Sequence, residues 1–162
     1  MNIVITENWL MKRKMIKIRR LKQSDLKSLY KLGLEEWRGE RWLTKKFLKQ
    51  TMRPPGYDFV ALDDKNIIGV ILVEILDKPK NWIFYFVVEK KYRNKGVGNM
   101  LLKTVEKRCL KDSPLLFVDV GVDDKEGNKF YKNHGFKKQA KIKDWFGIGE
   151  SGIIYSKKFN SK

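Results

Sequence analysis

Residues 93–102 read RNKGVGNMLL, and the run NWIFYFVVEKKY occupies 81–92. The upstream run is apolar, aromatic and β-branched, which is strand composition. Downstream, GNMLLKTVEKRCLKD (98–112) repeats its apolar residues at helical spacing, with Leu101, Leu102, Val105, Cys109 and Leu110 on one face. Two glycines, Gly96 and Gly98, therefore stand between a strand and a helix, with Arg93 and Lys95 adding charge beside them. Both glycines are free to take positive φ and to let a ligand approach the backbone. Successive N–H groups at a helix start form an anion-binding nest. The corner is expected to hold a phosphate; a tight turn without a ligand is the alternative. Two other phosphate loops are excluded. There is no G-x-x-x-x-G-K-[ST], and Leu101 occupies the place of the third glycine of a dinucleotide fingerprint.

Working outward, 15–25 begins as a strand and turns, with Ser24 or Asp25 available to cap a helix over DLKSLYKLGLEEW. Leu26, Leu29, Tyr30 and Leu34 form its expected apolar face. A second helix over ERWLTKKFLKQTM carries Trp42, Leu43, Phe47 and Leu48, and RPPGYD ends it. YDFVALDD and NIIGVILVEIL read as a hairpin, followed by the strand before the glycine corner. PLLFVDVGV is a further strand, KEGNKFYKNHGF a short helix stopped by Gly135, and 136–159 a last pair of strands. The order β-α-α-β-β-β-α-β-α-β-β predicts an α/β (α+β) fold, with helices flanking a mixed, mostly antiparallel sheet of about six to seven strands. The crossover helix makes one strand pair parallel. Residues 15–162 are expected to form a single domain, and 1–14 an extension of unassigned role.

The bulk numbers narrow the class. A chain of 162 residues with 42% hydrophobic content can bury a core. No apolar run is long enough for a membrane span, and the first residues lack the order of a secretory signal. A single cysteine, Cys109, allows no internal disulfide, so a cytoplasmic protein without membrane attachment is expected. Cys109 lies on the helix's apolar face and reads as core. The formal charge of +17, from 36 Lys and Arg against 19 Asp and Glu, attracts polyanions. That allows an RNA, ribosomal or acidic partner, although a lysine-rich solvated surface explains it as well, since the lysines are spread along the chain. No cluster of Cys and His suggests a metal.

VVEKKYRNKGVGNMLL resembles the acetyl-CoA-binding motif of the GNAT superfamily of N-acetyltransferases, [QR]-x-x-G-x-[GA], through Arg93, Gly96 and Gly98. KEGNKFYKNHGF is similar to a second element of that family, through Phe130, Tyr131, Gly135 and Phe136. Asp124 and Gly127 depart from the usual Asn and Ala. The resemblance runs from Met15 to Phe159 and implies the GNAT fold. It implies acetyl-CoA as cosubstrate, with the backbone N–H groups of Asn94, Lys95, Gly96, Val97 and Gly98 holding the pyrophosphate, and Arg93, Asn99, Asp124 and Tyr131 also binding the cosubstrate. It also implies that Phe86, Val87 and Val88 lie along the pantetheine arm and that a backbone N–H of this strand forms an oxyanion hole.

Acyl transfer to an amine needs a base for the amine and an acid for the departing thiolate. Tyr131 matches the family's tyrosine acid; a core aromatic is the alternative. Period-two alternation puts Leu115, Phe117, Asp119 and Gly121 on one face of their strand. Asp119 is the expected base, acting through water. It lies twelve residues before Tyr131, the place of the catalytic glutamate in the GNAT branch of ribosomal-protein N-terminal alanine acetyltransferases. A structural carboxylate is the alternative reading, and Glu74 is the rival base. The stretch KDWFGIGESGIIYSKKF resembles the closing hairpin of that branch, so Trp145 and Phe146 are expected to line the acceptor entry with Glu74. His134 reads as a helix-end residue.

The expected reaction is direct acetyl transfer to a primary amine, with a protein or peptide N-terminal α-amine as the acceptor. A small-amine acetyltransferase, acting on a polyamine or an antibiotic-like amine, and a basic RNA- or ribosome-binding module are the alternatives. A monomer and a homodimer are both compatible with the sequence.

Overall fold

A computed structural model describes residues 15–37, 40, 43–52, 57–77, 80–112 and 114–159. The extension 1–14, Trp42 and the side chain of Leu110 lie outside the described residues. The strands are β1 (Lys17–Arg20), β2 (Phe59–Asp63), β3 (Asn66–Asp77), β4 (Lys80–Val88), β5 (Leu115–Gly121), β6 (Lys137–Gly147) and β7 (Glu150–Lys158). The helices are α1 (Leu26–Glu36), α2 (Lys45–Thr51), α3 (Val97–Asp112) and α4 (Lys125–Asn133). One seven-stranded sheet runs in the order β1-β2-β3-β4-β5-β7-β6. Every pairing is antiparallel except β4 with β5. The expected α/β class, strand number and element order are all present.

Two apolar layers sandwich the sheet. One joins α3 and α4 to Ile71, Ile83, Leu116, Val118, Tyr131 and Tyr155. The other joins α1 and α2 to Val60, Val70, Leu72, Tyr85 and Val87. Burying one large apolar side chain contributes about 1.5–3 kcal/mol, so these layers are the main cohesive term. Cys109 is fully buried in the first layer.

The local signals in the helices need two corrections. Asp25 does not cap α1 with its side chain; the carboxylate turns back to accept the Lys22 N–H and pairs with Arg19 at 2.7 Å. Leu34 is exposed; Leu29 is fully buried and Leu26 and Tyr30 pack against the same layer, as expected, and Leu32 and Gly33 are buried with them. The glycine lets the helix come close to the sheet. A Cβ at residue 33 would lie 2.4 Å from the Tyr85 hydroxyl, and that hydroxyl donates to the Leu29 carbonyl at 2.8 Å. At Gly33 the helix presents bare backbone to the tyrosine, within the same apolar layer as Leu29 and Leu32.

The sheet opens in the middle. β4 and β5 pair only from Lys80↔Leu115 to Ile83↔Val118. β4 then continues to Val88 and β5 to Gly121 without each other. The β3–β4 register slips at the same level, Leu72 facing Tyr85 and Val73 facing Ile83, so Phe84 is the extra residue of a bulge. Phe84 and Tyr85 consequently both face the α1/α2 layer. The bulge bends β4 away from β5 and produces a wedge whose floor is Ile83 and Val118.

Candidate active site

The glycine corner lies at the open end of the wedge. Asn94 and Gly96 both have positive φ, at 58° and 83°. Alternating left-handed residues make successive N–H groups converge. The Met100 N–H bonds the Gly96 carbonyl at 3.0 Å, closing the first turn of the 16-residue α3. The N–H groups of Val97, Gly98 and Asn99 are therefore the orphan donors of a helix N-terminus, where an anion is favoured. Gly98 does not have the positive φ that was expected of it. A Cβ there would lie 3.3 Å from Phe130 and 3.6 Å from Phe86, so the two aromatic rings pack close over it.

The other residues assigned to the cosubstrate have varied surroundings. Val97 is buried against Leu101 and Gly69, so only its backbone faces the corner. Val87 packs into the α1/α2 layer, while Phe86 and Val88 face the α3/α4 layer. Arg93 donates from Nε to the Val88 carbonyl at 3.1 Å, pairs with Glu36 and lies 3.6 Å from Glu126. It ties the end of β4 to α1 and α4. Lys95 is exposed beside the Tyr92 ring. The Asn99 side chain meets His134 at 3.2 Å, and His134 also contacts the Phe130 carbonyl at 2.7 Å. His134 thus joins the ends of two helices, as expected. Asp124 caps α4, its carboxylate accepting the Gly127 N–H at 2.8 Å. The departure at Gly127 follows from that cap, since a Cβ there would come within 2.3 Å of Asp124 Oδ2.

α4 carries Tyr131 into the wedge. Phe86, Phe130, Phe136 and Tyr155 surround its ring. The hydroxyl makes no hydrogen bond to a described residue. Burial first, and then the charges of Asp119 and Asp124, push the phenol's pKa well above its ordinary value. A phenol in that setting stays protonated at neutral pH and is available as a donor.

Asp119 follows Val118, the last β5 residue paired with β4. The alternation along β5 is as expected, but the fully buried face is Leu116, Val118 and Val120. Asp119 shares the half-buried face with Phe117 and Gly121. Cross-strand register lines up Glu74, Trp82 and Phe117 on that face. The Trp82 and Phe117 rings stack 5.5 Å apart at 13°. The Trp82 indole donates to Asp119 Oδ1 at 2.6 Å, and the Trp145 indole donates to Asp119 Oδ2 at 2.8 Å.

Trp145 reaches Asp119 through an irregular hairpin. Between Ile142↔Gly152 and Gly147↔Glu150, β6 has four residues against one on β7. Asp144 adopts φ 55° there, and its carboxylate accepts the Gly149 N–H at 2.7 Å. This bulge lays Trp145 over Gly152 and points it back along β7. Phe146 and Glu74 are exposed. The structure therefore brings Asp119 and Trp145 together, with Glu74 across Trp82 from them.

Sequence reasoning missed Trp82 and Asn128. Buried Asn128 donates to the carbonyls of Gly121 and Asp124, at 2.8 and 2.6 Å, and accepts from Tyr155 at 2.7 Å. It joins the end of β5 to α4 and so sets the spacing of Asp119 and Tyr131. A polar residue on the inner face of an otherwise amphipathic helix was the available signal.

The Acetyltransferase (GNAT) family model matches residues 24–136. That is more than half of the chain, and the chain belongs to the GNAT family. It is an acetyl-CoA-dependent N-acetyltransferase. An uncharacterized N-acetyltransferase of Methanocaldococcus jannaschii is 27% identical over 106 residues, covering 64% of this chain and 67% of that protein. The fold is similar to that of the ribosomal-protein-S18-alanine N-acetyltransferase of Escherichia coli, with TM-score 0.80 and 17% identity over 90% of this chain and 95% of the other. It is also similar to an aminoglycoside 6'-N-acetyltransferase solved with coenzyme A, with TM-score 0.81 and 15% identity over 90% and 98%. No helix among the described residues is long and apolar enough to cross a membrane.

Proposed function

We propose that the acceptor is the α-amine of a peptide or protein N-terminus. One observation carries this reading: the Asp119 carboxylate stands on the half-buried face beside the wedge, between two aromatic side chains and within electrostatic range of Tyr131. Acetyl-CoA supplies an activated acetyl thioester. The residues fit it: the 94–99 corner offers backbone N–H groups to a pyrophosphate, Gly98 adds no Cβ, and β4 from Phe86 to Val88 has no strand partner on the wedge side.

Each carboxylate oxygen of Asp119 accepts one indole N–H and keeps a further lone pair. It can accept a proton from the amine through a bridging water. A free α-amine, with a pKa near 8, surrenders its proton about two units more easily than a lysine. Tyr131, which keeps its proton, then donates a hydrogen bond to the departing sulfur; with a pKa of about 8.5 the thiol leaves readily as the thiolate, and the amine's proton goes to Asp119 through the water. Trp145 and Phe146 flank the entry and give a peptide's first side chain an apolar wall.

A small-amine acceptor is the second reading, and Glu74 favours it. Glu74 lies across Trp82 from Asp119, so the two carboxylates could hold two cationic groups of one small molecule.

The test is mass spectrometry after incubation with acetyl-CoA. The acceptors are peptides with free α-amines and blocked lysines, the converse peptides, spermidine and an aminoglycoside. Acetylation of the α-amine set alone supports the N-terminal reading. Product on spermidine or the aminoglycoside, with unmodified peptides, replaces it with the small-amine reading.

A further inference from the structure

Asp119 is gripped from two elements that differ in rigidity. Trp82 sits on β4 where that strand is paired on both sides, by Glu74 of β3 and Phe117 of β5. Its ring is fixed by stacking on Phe117. Trp145 sits in the bulge of β6, the last strand of the sheet, and is 42% exposed. Beyond it Phe146 is exposed and Ile148 is 99% exposed, so the hairpin tip buries little apolar surface of its own. The β7 arm is held to β5 as far as Ser151, whose carbonyl accepts the Val122 N–H at 3.0 Å; on the β6 arm, the Trp145 indole, lying over Gly152 and bonded to Asp119, attaches the tip.

An indole N–H only donates, so neither tryptophan can take a proton from an amine. Their common effect is to fix the carboxylate's rotamer. A hydrogen bond to an ionised acceptor is roughly twice as strong as one between neutral groups. The Trp82 bond occupies Oδ1 and turns Oδ2 toward the hairpin.

We propose that Trp82 is a positioning residue that sets Asp119 as the catch on which Trp145 latches the β6–β7 tip beside the acceptor end of the wedge. The latch stands on its own geometry; only its kinetic consequence rests on the acceptor reading given above. With the latch made, the acceptor meets a formed wall. With it broken, the tip must be ordered when the acceptor binds, so acceptor affinity falls, and Asp119 loses the fixed rotamer that its part in proton transfer uses.

Trp82→Phe tests this, because it keeps a stacking ring and removes the N–H. Exchange of the Trp145 indole N–H, followed by NMR on the full chain, is expected to be protected in the natural protein. It should speed up about tenfold or more in Trp82→Phe and in Asp119→Ala. Amides of α3 serve as the folding control, and Trp82→Tyr is the second variant if Trp82→Phe loses that protection. In kinetics with the acceptor identified above, Trp82→Phe should raise acceptor KM about tenfold, lower kcat as Asp119 loses its fixed rotamer, and leave acetyl-CoA KM within about twofold. Trp82→Phe combined with Trp145→Phe should cost no more than the worse single change, since both act through one carboxylate. Unchanged Trp145 exchange in Trp82→Phe, or additive effects in the double variant, overturns the latch. A natural protein that acetylates no amine offered overturns only the acceptor reading, because the exchange measurement needs no turnover.

Discussion

Gly152 is the floor on which Trp145 lies. A Cβ at residue 152 would approach Trp145 Cδ1 to 2.7 Å and Cγ to 2.9 Å. Gly152 does not have positive φ, so its backbone accepts an alanine without strain. Gly152→Ala is therefore expected to fold normally, shift Trp145 off Asp119 and raise acceptor KM about tenfold, with melting temperature within a few degrees of the parent. Steady-state kinetics beside a thermal melt check this.

Tyr131→Phe removes one oxygen from a buried aromatic cluster. The ring packing with Phe86, Phe130 and Phe136 survives. General acid catalysis contributes about 10²–10⁴-fold, so kcat should fall by that range while acetyl-CoA KM stays close to the parent value. Isothermal titration with coenzyme A separates the two effects. Unchanged turnover would remove Tyr131 from the chemistry.

Tyr155→Phe leaves the buried Asn128 oxygen without its donor. An unsatisfied buried acceptor costs about 1–3 kcal/mol. Urea unfolding is expected to show a loss of that size with an unchanged slope. Because Asn128 also ties Gly121 to Asp124, kcat should drop with it as α4 loosens from β5.

Asp58 gives the fold a pH dependence. Burial pushes its carboxyl from the ordinary 3.8 up to about 6, against the lowering effect of the Val73 N–H that it accepts at 3.0 Å. Between those values the folded state binds more protons than the unfolded state, so stability falls as pH rises through that window. The contribution is present in full below pH 3.8 and is lost above about pH 6. Asp58→Asn keeps an acceptor for Val73 and removes the charge. It should be about 1–2 kcal/mol more stable than the parent at pH 7.5, and its unfolding free energy should be flatter between pH 4 and 6. Denaturant melts across that range read both quantities.

Features that were legible in the sequence depend on neighbouring residues. Gly96 and the start of α3 could be read because a nest is built from consecutive backbone groups. Tyr131 could be placed on its helix because KEGNKFYKNHGF resembles a short, contiguous family element. Trp82 could not, since its partner Asp119 is 37 positions away and they meet only through a parallel register that no local pattern encodes. On α1, Leu32 and Gly33 were left out of the expected apolar face for the same kind of reason: Gly33 matters through Tyr85, on β4. Of the expectations for Gly98, positive φ is not met, and the rings of Phe86 and Phe130 beside it could not be read because they come from β4 and α4.

The parting of β4 from β5 after Ile83 and Val118 leaves an edge in the middle of the sheet. The outer strand β6 is guarded by exposed lysines at 137, 138, 141 and 143, which discourage another chain from pairing with it. The inner edge has no such guard, because Phe84–Val88 must stay apolar to line two cores. It lies inside the sheet, between β4 and β5, and not at the rim where another chain could pair. An extended cosubstrate arm lying along β4 would complete the hydrogen-bond ladder as a strand of foreign chemistry, so that filling the cleft is also the last step in closing the sheet.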